Sequence, residues 1–401
     1  MTNTYQIFAR SNIQEKIRSL QVDRNNNDPI LNVEWIILQM NSPYFAKNDP
    51  VYYSNTYDIF SQLSTEEIIR LRTCPTTLFM FNFLWEGHSY HDYNFWELLT
   101  LSALRYDIPR EKLFFTSSNL KEEISYDLWQ KQYYPNDRIN VISFNLFSSY
   151  TFNSYRYNTE RHNIQIKTID DAVNNVKENQ KMFLSLNRRK RFHRIYTIYK
   201  IFKSKFKNNT LISYDKLDLS DYDRLGNDSM DLNVFEKLIE SSPSILDFSD
   251  FDRNWAGESS TKLFDESMIS LVSETLFETY NESSLFFSEK TFKPMNHYHP
   301  VIIFGQPEIN VSLKQIGFKT YDKYFDLSFD STQCHFDRID SQIEQLEVLH
   351  DQLSMMSISQ RVDWLLQDRE TLVHNKEALQ DNQFNKNKLT ILNNIVRSIT
   401  E

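Results

Sequence analysis

Glycine is scarce in this chain, with 5 among 401 residues. The average for proteins is about 7%. The five are Gly87, Gly226, Gly257, Gly305 and Gly317. Neither G-x-G-x-x-G nor G-x-x-x-x-G-K-[ST] can be written with this spacing, which excludes a P-loop kinase and a standard NAD dehydrogenase. Any nucleotide must therefore be held by side chains and helix ends.

Cysteine and long apolar runs are also lacking. Cys74 and Cys334 are the two cysteines, so there is no disulfide framework and no cysteine cluster for zinc, which fits a reducing compartment. Residues 1–17 are polar and charged without an apolar signal core, and no apolar run approaches the roughly 20 residues that cross a bilayer. We therefore expect a cytoplasmic protein without a membrane span.

The composition suits a protein with large cores. Apolar residues make up 40% of the chain and aromatic residues 14%, which is enough bulky surface for one core per domain. At roughly 150 residues per domain, the length predicts two or three domains, and two is the favoured number.

Strand and helix patterns alternate along the chain, which is typical of parallel sheets. In the first half, buried strands are predicted at 33–40, 77–85, 112–116 and 139–144, with helices at 93–106 and 121–132. Residues 145–175 are polar with weak periodicity, and we place the domain crossing there. In the second half, strands are predicted at 182–186, 210–214, 269–274 and 301–304, and helices at 191–206, 233–241, 289–298 and 308–316. Residues 338–399 are predicted to be helical.

This pattern predicts an α/β fold with two Rossmann-like domains that face a cleft, followed by a C-terminal helical segment. The expected divisions are a first domain at 1–165, a second domain at 166–335 and a helical segment at 336–401 that packs on the domains. Ligands of such sheets bind beyond the carboxyl ends of the strands.

A basic segment at 188–207 contains nine Lys or Arg residues and no acid, so the rest of the chain carries −10 − 9 = −19. It follows the strand predicted at 182–186 and Asn187, which is itself a candidate site residue, and it begins a predicted helix. Cations at a helix start oppose the macrodipole unless an anion binds there. Arg191 and Arg194 are therefore candidates for binding phosphate. The alternative is a solvated basic face.

A second candidate motif spans residues 286–294. Ser288 is a natural helix N-cap. Glu289 lies in the first turn, where its carboxylate can accept ribose hydroxyls. Lys290 and Lys293 are three residues apart on one face and can neutralise a diphosphate. The alternative is a capped amphipathic helix with solvent-facing charges.

Residues 287–293 (FSEKTFK) followed by 300–305 (PVIIFG) resemble the donor-binding motif of GT-B glycosyltransferases of the α1,3-fucosyltransferase type. Residues 316–322 and 325–330 also resemble segments of bacterial and phage proteins treated as glycosyltransferases. The resemblance covers about 180–330, while the first half is similar in architecture alone. Where the family usually has a Gly just before the Pro, this chain has Tyr298 and His299.

The resemblance implies a GT-B enzyme that transfers a hexosyl or pentosyl group from a nucleotide sugar, with inversion and without a metal or other cofactor. Glu289 would bind the ribose and Lys290 the diphosphate. An Arg after Asn187 would bind phosphate, either Arg191 or Arg194, with Arg194 preferred. The domain at 166–335 would then bind the donor and the domain at 1–165 the acceptor. The implied acceptor is a glycan, and modified DNA stays an alternative because the lysines at 200–207 could extend the basic segment towards a phosphate backbone.

An inverting transfer needs a base for the acceptor hydroxyl. Glu86 follows the strongest strand of the first half, beside Trp85, where an aromatic wall can raise the pKa of a carboxyl group. His88, His91 and Asp92 are rivals, and an ordinary loop is the structural alternative.

Two rival functions remain at this stage. One is a non-catalytic protein that binds nucleic acid or another polyanion through 188–207. The other is a metal-dependent transferase that uses an Asp pair, either Asp221 and Asp223 or Asp250 and Asp252. Such pairs arise readily by chance in an acidic chain. His297 and His299 lack identifiable partners for a metal.

Overall fold

The structure is a computed structural model that describes residues 33–39, 59–84, 95–162, 166–177, 180–187, 189–226, 230–245, 258–277 and 284–401. The strands are β1 Glu34–Gln39, β2 Thr77–Phe83, β3 Leu113–Ser117, β4 Asn140–Ser143, β5 Lys181–Asn187, β6 Thr210–Tyr214, β7 Ser267–Ser273 and β8 Val301–Phe304. All eight predicted strands are confirmed, with ends that differ by one or two residues.

The α-helices come between and after these strands. They are α1 Thr65–Thr73, α2 Phe95–Arg105, α3 Glu122–Tyr133, α4 Leu146–His162, α5 Ile169–Asn174, α6 Phe192–Lys203, α7 Leu219–Leu225, α8 Leu232–Glu240, α9 Glu258–Asp265, α10 Glu289–Phe292, α11 Ile309–Gln315, α12 His335–Met355, α13 Ile358–Leu366, α14 Arg369–Asp381 and α15 Gln383–Thr400. Within the ranges above, none is long and apolar enough to cross a membrane.

The chain divides into two compact units. Unit 1 contains the described residues up to Ser149, residues 284–287 and Asn382–Glu401; unit 2 contains Tyr150 to 277 and Ser288–Asp381. The first division thus falls inside α4, where the sequence suggested 165. The C-terminal helical segment is shared, since α12 to α14 belong to unit 2 and α15 to unit 1.

Unit 1 is a three-layered arrangement around a parallel sheet in the order β1-β2-β3-β4. Side chains of a strand alternate between the two faces. Phe79 and Phe81 of β2 therefore pack on one face with Trp96 of α2. Leu78 of the same strand packs on the other face with Leu392 of α15. The final helix of the chain thus closes the second face of the first sheet.

Unit 2 contains a second parallel sheet, in the order β6-β5-β7-β8. One face is covered by α9, where Leu263 and Phe264 pack on Leu184 of β5. Phe183 points to the opposite side, where its ring lies 4.9 Å from that of Phe206. The predicted α/β fold class, with two Rossmann-like sheets followed by a helical segment, is confirmed.

Three local features differ from what the sequence suggested. Residues 145–175, where weak periodicity led us to place the domain crossing, are mainly helical, in α4 and α5, and the division after Ser149 lies within them. Asn, Ser and Tyr favour helices only weakly. Burial of aromatic side chains such as Tyr155 stabilises what propensity does not. The helix expected at 289–298 ends at Phe292, because Pro294 has no amide to donate; a 3₁₀ turn, Pro294–His297, follows. Three further helices, α1, α7 and α9, were not predicted.

Candidate functional site

The strand order of unit 2 reverses around β5. This strand lies between β6, which follows it in sequence, and β7, which comes later. The chain therefore passes from β5 to one side of the sheet, to β6, and from β7 to the other side, to β8. Such a switch point forms a crevice beyond the carboxyl ends of the strands. In unit 2 the crevice is expected beyond Asn187 of β5 and Ser273 of β7, the strands that border the switch.

Glu274, the residue that follows β7, lies at the centre of this edge. Its side chain is completely buried. Its carboxylate accepts hydrogen bonds from the Ser288 hydroxyl at 2.6 Å and the Thr291 hydroxyl at 2.5 Å. The sequence suggested no role for Glu274. The signal that could have found it is an acid that directly follows β7, because all seven residues of that strand are buried.

Three cations converge on Glu274 and Thr275. Arg194 donates to the carbonyl oxygen of Glu274 at 3.1 Å. Arg191 donates to the carbonyl oxygen of Thr275. Lys290 donates to the Thr275 hydroxyl at 3.3 Å. The structure thus brings together the two cationic motifs that the sequence suggested separately, although about 80 residues separate α6 from Glu274 along the chain.

Arg194 is buried in this cluster, with 3% of its surface exposed. Burial, and then the neighbouring Arg191 cation, lower the pKa of Arg194 to about 10, so it remains charged at neutral pH. Among the described residues its Nε has no hydrogen-bond partner. A buried guanidinium with an unused donor is suited to an anionic ligand.

Helix α6 reinforces this preference. Arg191 occupies its N-cap position and makes no side-chain cap, and the first turn contains no acid. The partial positive charge of the 12-residue helix is therefore not offset by a carboxylate of its own first turn. We expect the start of α6 to favour an anion.

Glu289 and Lys290 form an ion pair at the start of α10, with 2.7 Å between Oε1 and Nζ. Burial by itself would raise the pKa of Glu289, but Lys290 and then Lys293 outweigh it and hold this pKa at about 2. Glu289 is thus an ionised acceptor at neutral pH, and Lys290 is a cation that contacts Glu289 and Ser288 of its own turn as well as Thr275 beyond β7.

Asn187 and Ser288, the other two predicted site residues, are held within the protein. Asn187 is buried and donates through Nδ2 to Ser185 Oγ at 2.7 Å, while its Oδ1 and Ser273 Oγ have no partner in the described part of the chain. Ser288 is the N-cap of α10, as predicted.

Glu86, the predicted base, lies outside the described residues, as do its rivals His88, His91 and Asp92. Asp250 and Asp252 of the second Asp pair also lie outside them.

Asp221 of the first Asp pair has a structural explanation, while Asp223 is exposed on α7. Asp221 is buried, and its carboxylate lies 2.8 Å from Lys190 Nζ and accepts the backbone amide of Asp218 at 3.1 Å. These contacts stabilise the start of α7, because Asp218 and Asp221 form its capping box.

His299 is also explained by its contacts. Its ring nitrogens lie 3.0 Å from Ser270 Oγ and 2.8 Å from the carbonyl oxygen of Phe264. His297 stacks on the Phe264 ring at 4.3 Å. No group of three or more potential metal ligands occurs among the residues that the structure describes.

The basic segment does not form one continuous surface. Lys190 pairs with Asp218 and Asp221, Lys200 lies 2.8 Å from Asp340, and Lys205 pairs with Asp351. The segment thus divides into two arginines at the sheet edge and several lysines that pair with acids of unit 2. Three of its nine cations are therefore paired with acids of unit 2.

No family model matches the chain, and no curated protein resembles it significantly. Among solved structures, an alpha,alpha-trehalose 6-phosphate synthase of Burkholderia multivorans has 10% identity, covers 98% of this chain and 78% of its own, and gives a TM-score of 0.41. A UDP-forming alpha,alpha-trehalose-phosphate synthase of Burkholderia vietnamiensis has 9% identity, coverages of 98% and 78%, and a TM-score of 0.40. An E. coli trehalose-6-phosphate structure with UDP-2-fluoro glucose has 10% identity, coverages of 97% and 79%, and a TM-score of 0.40. Overlap of this degree identifies neither a family nor a substrate.

Proposed function

We propose that this protein is a GT-B glycosyltransferase whose unit 2 binds a nucleotide sugar at the carboxyl edge of its sheet. The observation that carries the proposal is the convergence of Arg194, Arg191 and Lys290 on Glu274 and Thr275, at the strand-order switch. A diphosphate needs several cations close together when no glycine loop is present.

The proposed roles follow from the chemistry of each side chain. Arg194, with its unused Nε, and Arg191 contact the diphosphate, while Lys290 turns from Glu289 toward it. Glu289 is ionised, so it accepts hydrogen bonds from ribose hydroxyls. The positive charge at this edge stabilises the leaving nucleoside diphosphate without a metal.

The finer assignments belong to the same proposal. The acceptor is a glycan or modified DNA bound by unit 1, transfer inverts the sugar configuration, and Glu86 is the base. The polyanion-binding alternative is disfavoured, because Lys190, Lys200 and Lys205 already pair with acids.

A nucleotide panel tests the proposal. Thermal unfolding is measured with UDP, GDP, CMP and dTDP in EDTA, for the wild type, Lys290→Ala and the control Lys314→Ala, whose lysine is exposed on α11. A ligand at 100 times its dissociation constant adds about 2.7 kcal/mol to stability. We expect one nucleotide to stabilise the wild type and the control, and Lys290→Ala to weaken binding about tenfold or more, because a hydrogen bond to a charged group contributes about 1.5–3 kcal/mol.

Glu289→Gln separates the enzyme from a polyanion binder. Loss of this acid should weaken nucleotide binding if Glu289 binds the ribose. It should strengthen the binding of a polyanion if that binding depends on charge alone, because the site then loses a negative charge. The absence of a shift with every nucleotide would contradict the proposal.

A further inference from the structure

Glu274 makes an unusual number of hydrogen bonds for one buried carboxylate. It accepts from the backbone amide of Thr275 at 2.8 Å and from that of Ser288 at 3.1 and 3.2 Å. The hydroxyls of Ser288 and Thr291 supply two more. Four donors are about as many as a carboxylate accommodates, and an ionised carboxylate is the one side chain here that accepts without donating.

The groups that Glu274 holds are on either side of the two residues proposed to bind the donor. Ser288 precedes Glu289, and Thr291 follows Lys290. One carboxylate therefore fixes both ends of this two-residue stretch. Lys290 donates in turn to the Ser288 hydroxyl at 3.3 Å and to the Thr275 hydroxyl at 3.3 Å. Among the described residues, the Lys290 ammonium thus contacts Glu289, Ser288 and Thr275. Ser288 and Thr275 both donate to the Glu274 carboxylate.

The same residue also contacts the other cationic motif. The carbonyl oxygen of Glu274 accepts from Arg194 Nη2 and lies 2.8 Å from His193 Nε2. Glu274 thus joins α6 to α10 across the end of β7. A negative charge buried beside an anion site repels the anion, so the charge of Glu274 does not itself attract a diphosphate.

We propose that Glu274 is a positioning residue for nucleotide binding: it orders residues 288–291 so that Lys290 and Glu289 meet the diphosphate and ribose of a nucleoside diphosphate. This inference rests on the proposed function. Glutamine at this position would keep the size but would present an amide donor to the donors of Ser288 and Thr291.

Asp330 supplies a matched control in the same unit. It is buried, and its carboxylate accepts the backbone amide of Asn310 at 3.1 Å and its side-chain amide at 2.8 Å, which orders the start of α11. Glu274→Gln and Asp330→Asn therefore make the same chemical change to two buried acids that order different helices.

Hydrogen exchange and titration are measured together for these two full-length variants, with UDP and GDP as probes. We expect Glu274→Gln to speed amide exchange at residues 288–293 at least tenfold and to raise the dissociation constant of the bound nucleotide at least tenfold. Asp330→Asn should speed exchange at 309–315 and change the dissociation constant less than twofold. Thr291→Val, which removes one of the four donors, should act like Glu274→Gln to a smaller extent and serves if the glutamine variant does not fold.

A double-variant cycle distinguishes positioning from a general loss of stability. If Glu274 acts through Lys290 and Glu289, adding Glu274→Gln to the double variant Lys290→Ala/Glu289→Gln should weaken nucleotide binding by less than twofold. Unchanged exchange at 288–293, binding that is unchanged or tighter in Glu274→Gln, or full additivity with this double variant would each overturn the inference. If the wild type binds none of UDP, GDP, CMP and dTDP, the proposed function fails, and the exchange experiment still decides whether Glu274 orders the turn.

Discussion

Where the structure describes them, the carboxyl edges of the two sheets differ in the charged groups that lie next to the strand ends. In unit 2, the backbone carbonyls of Glu274 and Thr275 accept hydrogen bonds from arginines. In unit 1, the backbone amide of Ser143, at the end of β4, donates to the carboxylate of Glu123 at 2.7 Å, and Lys388 of α15 neutralises that carboxylate. The two arginines at the edge of unit 2 are suited to an anion, whereas the lysine beside the end of β4 is paired with an acid.

Strand order explains why the two edges differ. The described strands of unit 1 follow one another in sequence order, so neighbouring connections run in one direction. Unit 2 has the switch beside β5. Two sheets with the same number of parallel strands thus need not both form a crevice, because the crevice depends on the order of the strands.

The largest effect is expected from removing the contact between α15 and the sheet of unit 1. Leu392 is 1% exposed and packs with Leu78 and Phe114, so Leu392→Ala should destabilise unit 1 by about 3 kcal/mol. Its neighbour Ile391 is 47% exposed, and Ile391→Ala should change stability by about 0.5 kcal/mol or less. Urea unfolding measures both variants. Equal costs would show that α15 does not close the core of unit 1.

The second-largest effect is expected from acid, which should destabilise unit 2 before unit 1. Burial, and then the charge of Lys167, lower the pKa of His299 from its ordinary value of 6.5 to about 3. Below about pH 6.5 the unfolded chain therefore binds a proton at this histidine, whereas the folded chain binds it only below about pH 3. The free energy of unfolding thus falls as the pH falls through this range. At pH 5 this histidine costs about 2 kcal/mol.

Burial also lowers the pKa values of His193 and His297 in unit 2, whereas the described residues of unit 1 contain no histidine. Hydrogen exchange at pH 7 and pH 5 should thus show loss of protection in unit 2 first. His299→Gln, which has an amide to replace the ring's hydrogen bonds but does not titrate, should reduce this acid sensitivity. Earlier loss of protection in unit 1 would contradict the assignment.

The smallest effect is expected on the lysine side of the basic segment. Lys205 pairs with Asp351, and the two side chains are 45% and 52% exposed. Such a pair contributes about 0–1 kcal/mol, so Lys205→Gln should barely change the melting temperature and should leave nucleotide binding unchanged. A large loss of binding to duplex DNA in this variant, with a steep dependence on salt, would instead favour the polyanion-binding function.

Local patterns were enough to predict the strands and the charged candidates. Runs such as residues 301–304 are apolar on both faces, which is typical of a strand buried between helices, and β8 occupies those residues. Arg194 was singled out because cations at a helix start are costly without an anion. Glu289 and Lys290 were singled out by their place in the first turn of a capped helix and by the resemblance. The helix at 289–298 was mispredicted because its apolar spacing was given more weight than Pro294.

The role of Glu274 could not be read from its neighbours in the chain. Its donors include Ser288 and Thr291, 14 and 17 residues further on. Hydrogen bonds over such distances depend on which strands lie side by side, and no local pattern specifies that β7 is the neighbour of β5.

The sequence by itself determined the elements of both sheets and the absence of a glycine loop, because periodicity and residue type act over a few positions along the chain. The tertiary structure decided which charges meet. It placed Arg191 and Arg194 against the end of β7, directed Lys205 to Asp351, and gave α15 to unit 1. The physical reason is that an ion pair or a buried carboxylate is defined by distances of about 3 Å in space, and those distances are set by strand order and helix packing.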